Sequence, residues 1–427
     1  MRRSRYNNYI RLTDSRVLGY NAFIRRFVVL DEDVYAALSE DSTLSRLSEE
    51  RIAELRKGGF IIEDDLDELD VLDNEIEKNN FSESYYELHV NPTLDCNFRC
   101  WYCYEQHQAG SELGGEVLGR LRRHLDRKLT SPVEDFMLSF FGGEPLLKFD
   151  SVCKPLIEYA GKLCRRNDIA MRVHFTSNSY LVTPEIAEYL QDRHCSFQIT
   201  LDGSREFHDK VRFPAPGQGS YDRILSNVKL LADRDIRVVL RINYTLGNIE
   251  SVEKIITDLL DAGLVNPGNV AVNFQRVWQD FHNKGNEKIK ALITGYGKRL
   301  AEGGVFHSIP DLDNPRLGGC YGDRQNYVCV NYDGNFFKCT ARDFTPGNRC
   351  GHLAEDGSLV WDDGIEQEWK NAKFKREVCR SCRIAPICLG GCRRKNMEMP
   401  DNGECPMSYD DARKDELILQ RFEAQFM

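Results

Sequence analysis

The sequence predicts an α/β fold in which a partial (β/α)6 barrel of the TIM type lies between a small N-terminal α+β unit and a cysteine-rich segment. Between residues 85 and 309, six apolar runs rich in β-branched residues alternate with amphipathic stretches. Such alternation implies a parallel sheet, and six units in about 200 residues suit a partial barrel. After residue 310 the helical periodicity stops, and glycine and cysteine become frequent.

Residues 1–84 are predicted to form the small α+β unit and a linker. Short antiparallel strands are predicted for YIRL and VLGYNAFIRRFVVL around a turn at Gly19–Asn21. Two helices are predicted for DEDVYAALSE and TLSRLSEERIAELRKGG, the second of which ends at Gly58 and Gly59. A last short strand is predicted for IIEDD. Nine acidic residues within residues 63–77 then predict an acidic linker.

The six barrel strands are predicted for ELHVNPT, FMLSFFGG, MRVHFTS, SFQITLDG, VVLRINYT and NVAVNFQRV. In such barrels the chemistry lies at the C-terminal ends of the strands, so the residues after each run are candidates for a site. Residues 310–427 lack the apolar surface for a large core, and we expect their fold to depend on metal. A final helix is predicted for SYDDARKDELILQRFEAQF.

Composition excludes several classes of function. The net charge of −10 argues against a general affinity for nucleic acid. No apolar run is long enough to span a membrane, and the basic N-terminus has no apolar core of the kind that a secretory signal needs. We therefore expect a cytoplasmic protein with reduced thiols. Its 15 cysteines then favour metal ligation over disulfides. Seven arginines within residues 1–26 are either solvated surface or a site for an acidic peptide.

The first cysteine group follows the first barrel strand directly. The segment NPTLDCNFRCWYCYE places Cys96, Cys100 and Cys103 in a C-x3-C-x2-C spacing. Thiolates are the standard ligands of iron–sulfur clusters, and such short spacing lets one loop wrap one cluster. Three cysteines leave a cubane one ligand short, so that the fourth iron can bind a small molecule. A structural zinc site would be closed by four protein ligands.

This spacing, with an aromatic residue before the last cysteine, resembles the radical S-adenosylmethionine (SAM) superfamily. The segment FFGGEPLL at 140–147 is similar to the GGE motif of that family. The resemblance implies that Gly142, Gly143 and Glu144 contact the amino group of the methionine moiety. Glycines allow close approach of the backbone, and a carboxylate suits an ammonium group.

The ends of the third and fourth strands extend the resemblance. FTSNS at 175–179 and ITLDG at 199–203 stand where the family contacts the ribose and the sulfonium region. This implies Ser177, Asn178 and Thr200 as SAM contacts, and capping of the strand ends is the alternative for these polar residues. Three arginines are candidates for the methionine carboxylate, and the sequence does not choose among Arg212, Arg223 and Arg241.

The C-terminal cysteines resemble a SPASM domain, which usually carries two auxiliary [4Fe–4S] clusters. The spacings are C-x13-G-x4-C from Cys320 to Cys339 and C-x2-C-x5-C-x3-C-x12-C from Cys379 to Cys405. The resemblance implies one cluster on Cys379, Cys382, Cys388 and Cys405, and another on Cys320, Cys339 and Cys392. Cys329 is the expected fourth ligand of the second set, with Cys350 or an open iron as alternatives. A zinc ribbon is the alternative for the whole segment. The remaining cysteines are predicted to be core residues: Cys153, Cys164 and Cys195.

The resemblance implies an enzyme with three [4Fe–4S] clusters that cleaves SAM to a 5′-deoxyadenosyl radical and takes a hydrogen atom from a peptide. The N-terminal unit resembles the winged-helix domain with which peptide maturases bind a leader as an added strand, and a plain extension that packs on the barrel is its alternative. We expect a ribosomally made precursor peptide as substrate, a thioether or carbon–carbon crosslink as product, and flavodoxin or ferredoxin as electron donor.

Two other functions stay open at this stage. An anaerobic sulfatase-maturating enzyme would make formylglycine, but in that family an aspartate follows the cysteine of the G-x4-C element. Here Thr340 follows Cys339, and the nearest aspartate is Asp343. A zinc-binding interaction protein is the non-enzymatic alternative, and it predicts zinc in place of iron and sulfide.

Overall fold

A computed structural model describes residues 1–13, 15–264, 268–280, 286–308 and 320–426. The chain divides into two compact units. The described residues of the first, here called the terminal unit, lie in 1–82, 320–325 and 364–426. Those of the second, the barrel unit, lie in 83–308 and 326–363. The sequence-based boundaries at residues 84/85 and 309/310 stay a prediction.

The N-terminal part of the terminal unit is the predicted mixture of strands and helices. A three-stranded antiparallel sheet has the order β2-β3-β4, and β1 pairs with β5. The strands are β1 (Arg2–Arg3), β2 (Asn7–Thr13), β3 (Arg16–Asn21), β4 (Arg26–Asp31) and β5 (Ile61–Ile62). The helices are α1 (Glu32–Ala37), α2 (Glu49–Lys57) and α3 (Glu68–Asn80), with a 3-10 helix at Asp41–Arg46.

The predicted turn at Gly19–Asn21 is wrong, because these residues form the second half of β3. Gly19 pairs with Tyr9 on one side and with Val28 on the other. A Cβ on Gly19 would lie 3.0 Å from the ring of Phe60, so the glycine marks a close approach inside a strand. The turn begins only after Asn21, whose side-chain oxygen accepts hydrogen bonds from the backbone amides two and three positions later.

The prediction of an acidic linker is also wrong, because most of the residues in this segment form the helix α3. Asp67 caps this helix by accepting hydrogen bonds from the amides of Leu69 and Asp70. Acidic residues in a first helical turn interact favourably with the helix dipole. The helix buries Leu72 in a core that also contains Tyr6 and Ile418 of the same unit. Apart from the buried Glu68, most of its charged residues therefore lie on the outer side of a packed amphipathic helix.

The barrel unit contains the six predicted strands as parallel neighbours in chain order. They are β6 (Tyr85–Val90), β7 (Asp135–Phe140), β8 (Ala170–Ser177), β9 (Cys195–Leu201), β10 (Arg237–Tyr244) and β11 (Val270–Arg276). The helices are α4 (Gly115–Lys128), α5 (Lys154–Arg166), α6 (Pro184–Leu190), α7 (Arg205–Val211), α8 (Tyr221–Ala232), α9 (Val252–Asp261) and α10 (Asn286–Glu302). The predicted partial barrel is thus confirmed.

The sheet continues beyond the six strands on both sides. β12 (Phe306–Ser308) joins β11 in parallel, and β13 (Tyr327–Val330) joins β6 in parallel. Three antiparallel strands follow, namely β14 (Asn335–Phe337), β15 (Gly351–Leu353) and β16 (Leu359–Trp361). Part of the cysteine-rich segment therefore extends the barrel sheet.

The barrel strands bury one face and leave the other more polar. Residues such as Leu88, Leu138 and Ile199 are fully buried, whereas the alternate positions His174 and Gln198 are partly exposed. This period of two is expected for strands. This more polar face continues to the C-terminal ends of the strands, where the predicted site residues lie.

The C-terminal part of the terminal unit consists of short helices and one longer final helix. They are α11 (Ile365–Asn371), α12 (Glu377–Arg380), α13 (Ala385–Cys388), α14 (Arg393–Glu398) and the predicted final helix α15 (Asp411–Phe426). A buried carboxylate, Asp323, accepts hydrogen bonds from Lys373 and Arg393. None of the helices in the described part of the chain combines the length and apolar character needed to cross a bilayer.

Candidate active site

The first cysteine loop is tied down at its start. The hydroxyl of Thr93 donates to the carbonyl of Ser111 at 2.6 Å and accepts from the amide of Asp95 at 2.9 Å. The amide of Leu94 donates to the Ser111 hydroxyl at 2.8 Å. These bonds fix the chain as it leaves β6, so that the cysteine loop begins in one defined direction.

The loop and the strand ends surround a cavity of about 180 Å³. Eight predicted site residues line it: Cys96, Cys100, Cys103, Gly142, Gly143, Ser177, Asn178 and Thr200. They come from the β6 loop and from the ends of β7, β8 and β9. Parallel strands bring their C-terminal ends to one edge, and this places motifs far apart in sequence around one space.

The three thiols lie close enough to one another to influence one another's ionisation. Burial raises the pKa of Cys96 to about 12 and that of Cys103 to about 11, and the nearby Cys100 contributes to both shifts. Burial also raises the pKa of Cys100, against the effect of Arg212. Cys103 lies 3.5 Å from the Nε2 of His107. Burial thus disfavours free thiolates in this loop, and bonds to iron would offset that penalty, which fits a loop that wraps an iron–sulfur cluster.

The glycine pair after β7 packs against the cysteine loop. A Cβ on Gly142 would lie 2.6 Å from the carbonyl oxygen of Thr93, and one on Gly143 would lie 2.0 Å from that of Asp95. The amide of Gly143 donates to Thr93 at 3.1 Å, and that of Glu144 donates to Asp95 at 2.9 Å. Only glycine permits this close approach, so the two glycines allow the end of β7 to pack against the cysteine loop.

The side chain of Glu144 is fully buried and is absent from the described lining of the cavity. Its carboxylate accepts hydrogen bonds from the amide of Leu146 at 3.0 Å, the hydroxyl of Ser177 at 2.8 Å and the amide of Asn178 at 2.8 Å. Burial raises its pKa to about 7 even so. Glu144 thus joins the end of β7 to the end of β8, and its contact with SAM stays a prediction.

One strand-end residue, Asn178, contacts the cysteine loop. Asn178 donates from Nδ2 to the side-chain oxygen of Asn97 at 2.7 Å and lies 3.9 Å from the Cys96 sulfur. Thr200 lines the cavity from β9. Of the three candidate arginines, Arg212 and Arg241 line the cavity, whereas Arg223 lies outside its described lining and stacks over Tyr180 at 4.2 Å.

The C-terminal cysteines form two separate neighbourhoods. In the terminal unit, Cys379 and Cys388 have raised pKa values because of burial first, and then because of neighbouring thiols, which include Cys382 and Cys405. The structure therefore brings together the four cysteines predicted for one auxiliary cluster. Cys392 lies in the same unit at the start of α14.

In the barrel unit, Cys329 stands beside two other thiols. Burial raises its pKa well above the ordinary value, and Cys339 and Cys350 add to the shift. Both candidates for the fourth ligand of the other cluster thus lie in one neighbourhood with Cys339. Cys320 belongs to the terminal unit, where its amide donates to Asp323 at 2.9 Å. Among the described residues, no three His, Cys, Asp or Glu side chains converge as the ligands of one metal ion do.

Comparison with known proteins identifies the barrel. Residues 90–262 match the profile of the Radical SAM superfamily. The chain carries a radical SAM domain. Such a domain uses a [4Fe–4S] cluster and SAM, and the three thiols around one cavity fit that requirement. The predictions of the α/β fold class and of the family resemblance are confirmed.

Several relatives that match more than two thirds of this chain are named as maturases. A cysteine-type anaerobic sulfatase-maturating enzyme of Clostridium novyi is 24% identical over 343 residues, which cover 72% of this chain and 88% of that protein. The mycofactocin maturase MftC of Mycobacterium ulcerans is 27% identical and covers 70% and 80%, respectively. The crystal structure of Streptococcus suis SuiB bound to its precursor peptide SuiA has a TM-score of 0.56 at 15% identity, covering 96% of this chain and 99% of that one.

Several residues at the radical SAM cavity escaped the sequence reasoning. Glu105 and His107 line it just after the last cysteine, and Trp278 stacks on Tyr104 with the ring centres 5.4 Å apart. Tyr102 binds polar groups from three other elements. The aromatic and acidic residues next to Cys103 were visible in the sequence, but nothing local tells which of them face the cavity. Trp278 lies beyond β11, and no sequence motif marked it as a residue of the site. The three predicted core cysteines, Cys153, Cys164 and Cys195, are all buried.

Proposed function

We propose that this protein is a radical SAM maturase that removes hydrogen from a ribosomally made precursor peptide and installs a thioether or carbon–carbon crosslink. The observation that carries the proposal is the pair of cysteine neighbourhoods that accompany the radical SAM domain. A crosslink removes two hydrogens from the peptide. One leaves as a hydrogen atom, and the other leaves as a proton and an electron, for which an acceptor is needed.

The residues have separate roles in this proposal. Cys96, Cys100 and Cys103 would hold the first cluster, and the cavity beside them would receive SAM. When bound and reduced, the cluster supplies the electron that splits SAM into methionine and the 5′-deoxyadenosyl radical. Gly142 and Gly143 hold the loop against β7, and Ser177, Asn178 and Thr200 offer polar groups to the ligand.

The auxiliary clusters would take up the second electron. We assign one to Cys379, Cys382, Cys388 and Cys405, and one to Cys320, Cys339 and Cys392 with Cys329 as fourth ligand, which makes three clusters in all. The reaction also needs an external reductant such as flavodoxin or ferredoxin. Reduced thiols and this donor suit the cytoplasm.

The N-terminal sheet would bind the leader of the precursor. β2 is at an edge of the sheet, and its residues Arg11–Thr13 are exposed. An edge strand presents unpaired backbone groups to which an extended peptide can add as a further strand. The SuiB structure with a bound precursor peptide shows that a protein of this fold takes such a substrate.

Sulfatase maturation is the second candidate, favoured by the Clostridium novyi relative. The position after Cys339 is Thr340, whose carbonyl accepts a hydrogen bond from the hydroxyl of Tyr104 at 2.6 Å. The carboxylate of Asp343 accepts hydrogen bonds from Gln106 at 3.1 Å and from Asn348 at 2.7 Å. Asp343 thus serves to hold its loop, and this weighs against the sulfatase function.

The test uses the full chain, purified anaerobically and reconstituted with iron and sulfide. It is mixed with dithionite, SAM and either a candidate precursor peptide or a sulfatase peptide, and the peptides are weighed by mass spectrometry. We expect the precursor to lose two hydrogens and to yield crosslinked fragments. Conversion of the sulfatase peptide to an aldehyde would instead establish the second candidate.

The matched control is the triple variant Cys96→Ala/Cys100→Ala/Cys103→Ala. It should form no 5′-deoxyadenosine and leave the peptide unchanged. Persistence of 5′-deoxyadenosine in this variant would refute the assignment of the first cluster, and zinc in place of iron in the wild-type protein would favour a zinc-binding interaction protein.

A further inference from the structure

Glu105 brings a single carboxylate to the cavity beside the first cysteine loop. Among the described residues that line this cavity, no other is an aspartate or a glutamate. The Oε2 atom of Glu105 is buried, and it has no hydrogen-bond partner in the described part of the chain. A carboxylate in such a place has lost water without gaining a donor from the protein, which is costly. Its partner is therefore expected to come from a ligand.

The residues on either side of Glu105 hold it in the wall of the cavity. The hydroxyl of Tyr104 donates to the carbonyl of Thr340 at 2.6 Å. The side-chain amide of Gln106 donates to the carboxylate of Asp343 at 3.1 Å. The chain at Glu105 is thus bonded, one residue before and one residue after, to the segment that follows β14. The position of its carboxylate is set by these bonds and does not depend on a bound molecule.

The other permanently charged side chains in the described lining are arginines from α7, β10 and β11, namely Arg212, Arg241 and Arg276. Two of them have a carboxylate beside them. Asp280 forms an ion pair with Arg276 at 3.1 Å, and the buried Asp202 binds the same tyrosine hydroxyl as Arg212. Glu105 forms no ion pair with any described side chain. The cavity therefore combines a group of cations with one separate carboxylate.

The chemistry of Glu105 selects the kind of group that fits it. An ammonium or guanidinium group donates charge-assisted hydrogen bonds to a carboxylate, and these are stronger than bonds between neutral groups. Exclusion of water strengthens them further. A neutral donor would leave the buried charge unmatched, and an anionic group would be repelled. In a peptide, the groups that meet these requirements are the side chains of lysine and arginine.

We propose that Glu105 binds a lysine or arginine side chain of the substrate peptide and so selects which part of the peptide enters the cavity. The inference rests on the proposed function, because it takes a peptide as the substrate. Glu105 is a specificity-determining residue in this scheme, since it binds the substrate and takes no part in the radical chemistry. The residue that the enzyme modifies should then lie close to a basic residue in the precursor.

The test uses the full-length protein, reconstituted with iron and sulfide and saturated with SAM. No reductant is added, so that no radical forms. The ligands are acetylated and amidated pentapeptides of the sequence Gly-Ala-X-Ala-Gly, in which X is lysine, arginine or norleucine. Norleucine keeps the aliphatic chain of lysine and lacks its charge. Anaerobic isothermal titration calorimetry measures the dissociation constant of each peptide.

The variants are Glu105→Gln, Glu105→Asp and the matched control Glu112→Gln, whose carboxylate is exposed and pairs with Lys148 at 2.6 Å. We expect the lysine or the arginine peptide to bind the wild-type protein at least tenfold more tightly than the norleucine peptide. Glu105→Gln should reduce this ratio to less than twofold, and Glu105→Asp should retain part of it. Glu112→Gln should leave it unchanged. The tighter of the two basic peptides identifies the preferred side chain.

Two results would overturn the proposal. One is a wild-type protein that binds neither basic peptide more tightly than the norleucine peptide, and the other is a Glu105→Gln protein that keeps the tenfold preference. The affinity for SAM is measured in parallel. A tenfold loss of that affinity in Glu105→Gln, at an unchanged peptide preference, would mean that the cation bound by Glu105 belongs to SAM.

Iron and sulfide contents are measured for every variant, because Glu105 is close to Cys103 in the chain. If Glu105→Gln assembles no cluster, the ratio in the wild type and its partial loss in Glu105→Asp decide. No crosslink is formed or measured in these experiments. A failure of the proposed crosslinking would therefore leave the binding results intact, and equal binding of the three peptides would leave the crosslinking open to its own test.

Discussion

The first cysteine loop and the cysteines of the terminal unit are held in different ways. The loop lies on a parallel sheet and is joined to neighbouring elements by hydrogen bonds of Thr93, Glu144 and Tyr102. The other cysteines lie among helices as short as four residues. Helices of that length have no stability of their own. The scaffold of the first site should therefore persist without metal, whereas the C-terminal site should depend on it.

Core packing supports the same distinction. Cys379 belongs to the core of the terminal unit, and Cys382 and Cys388 pack against it. There the thiols take the place that aliphatic side chains would occupy in an ordinary core. A metal cluster would thus supply folding energy to the terminal unit, while in the barrel unit buried strand residues supply it.

The largest effect should come from Cys388→Ala, matched with Cys103→Ala in the first loop. We expect Cys388→Ala to expose the segment from residue 364 to limited proteolysis and to lower the yield of intact protein several-fold. Cys103→Ala should abolish 5′-deoxyadenosine formation with an unchanged digestion pattern. Equal sensitivity of the two variants would remove the distinction between the regions.

Gly143→Ala should be the most damaging change in the barrel unit that touches no cysteine. Its Cβ would stand 2.0 Å from the carbonyl oxygen of Asp95, so that either β7 or the cysteine loop must move. We expect a loss of about 3 kcal/mol in the free energy of unfolding and a lower iron content. Urea unfolding followed by circular dichroism measures the first quantity.

The control for this variant is Gly119→Ala, in the helix α4, where the new Cβ would have its nearest neighbour at 3.6 Å. Alanine is the better helix former there, so no loss is expected. A Gly143→Ala protein as stable as this control would mean that the glycine motif does not support the loop.

Glu144→Gln tests the link between β7 and β8. A glutamine offers one acceptor oxygen to three donors, and its amide group would face a backbone N–H. We expect a loss of about 2 kcal/mol, which corresponds to an unsatisfied buried donor. Urea unfolding beside Glu116→Gln, whose carboxylate is exposed, checks this, and equal stability of the two variants would contradict it.

His124 provides the smallest expected effect and concerns the extension of the barrel sheet. Its Nδ1 donates a hydrogen bond to the carbonyl of Gly357 at 2.8 Å, and its Nε2 accepts one from the Tyr86 hydroxyl at 2.5 Å. Burial lowers its pKa to about 4. Below pH 6.5, His124 therefore binds a proton in the unfolded chain but stays neutral in the folded chain. The free energy of unfolding then falls as the pH falls.

At pH 5.5, His124 should lower the free energy of unfolding by about 1.4 kcal/mol relative to neutral pH. The measurement is the free energy of unfolding at pH 5.5 and 7.5 for the wild type, His124→Gln and the exposed control His352→Gln. Only His124→Gln should reduce the difference between the two pH values. An unchanged difference would show that the histidine is not held neutral in the folded protein.

Much of the site followed from the sequence because its motifs are local. The six strands, the cysteine loop after the first of them and the glycine pair after the second all depend on short segments. The failures have the opposite character. Gly19 is a strand residue because Phe60 packs on it, and the acidic segment is a helix because Leu72 has a core to enter. Neither contact can be recognised from the few residues around Gly19 or Leu72 in the sequence.

By itself, the sequence determined the α/β class, the order of the barrel strands and the three thiols that share one loop, because periodicity and spacing act over a few residues. Tertiary structure decided which polar groups meet at that loop. Tyr102 meets Asp202, Arg212 and Asn243 across 100, 110 and 141 positions of the chain. Such contacts exist only once the strand ends converge, because a buried polar group can then bond only to the groups that the neighbouring elements supply.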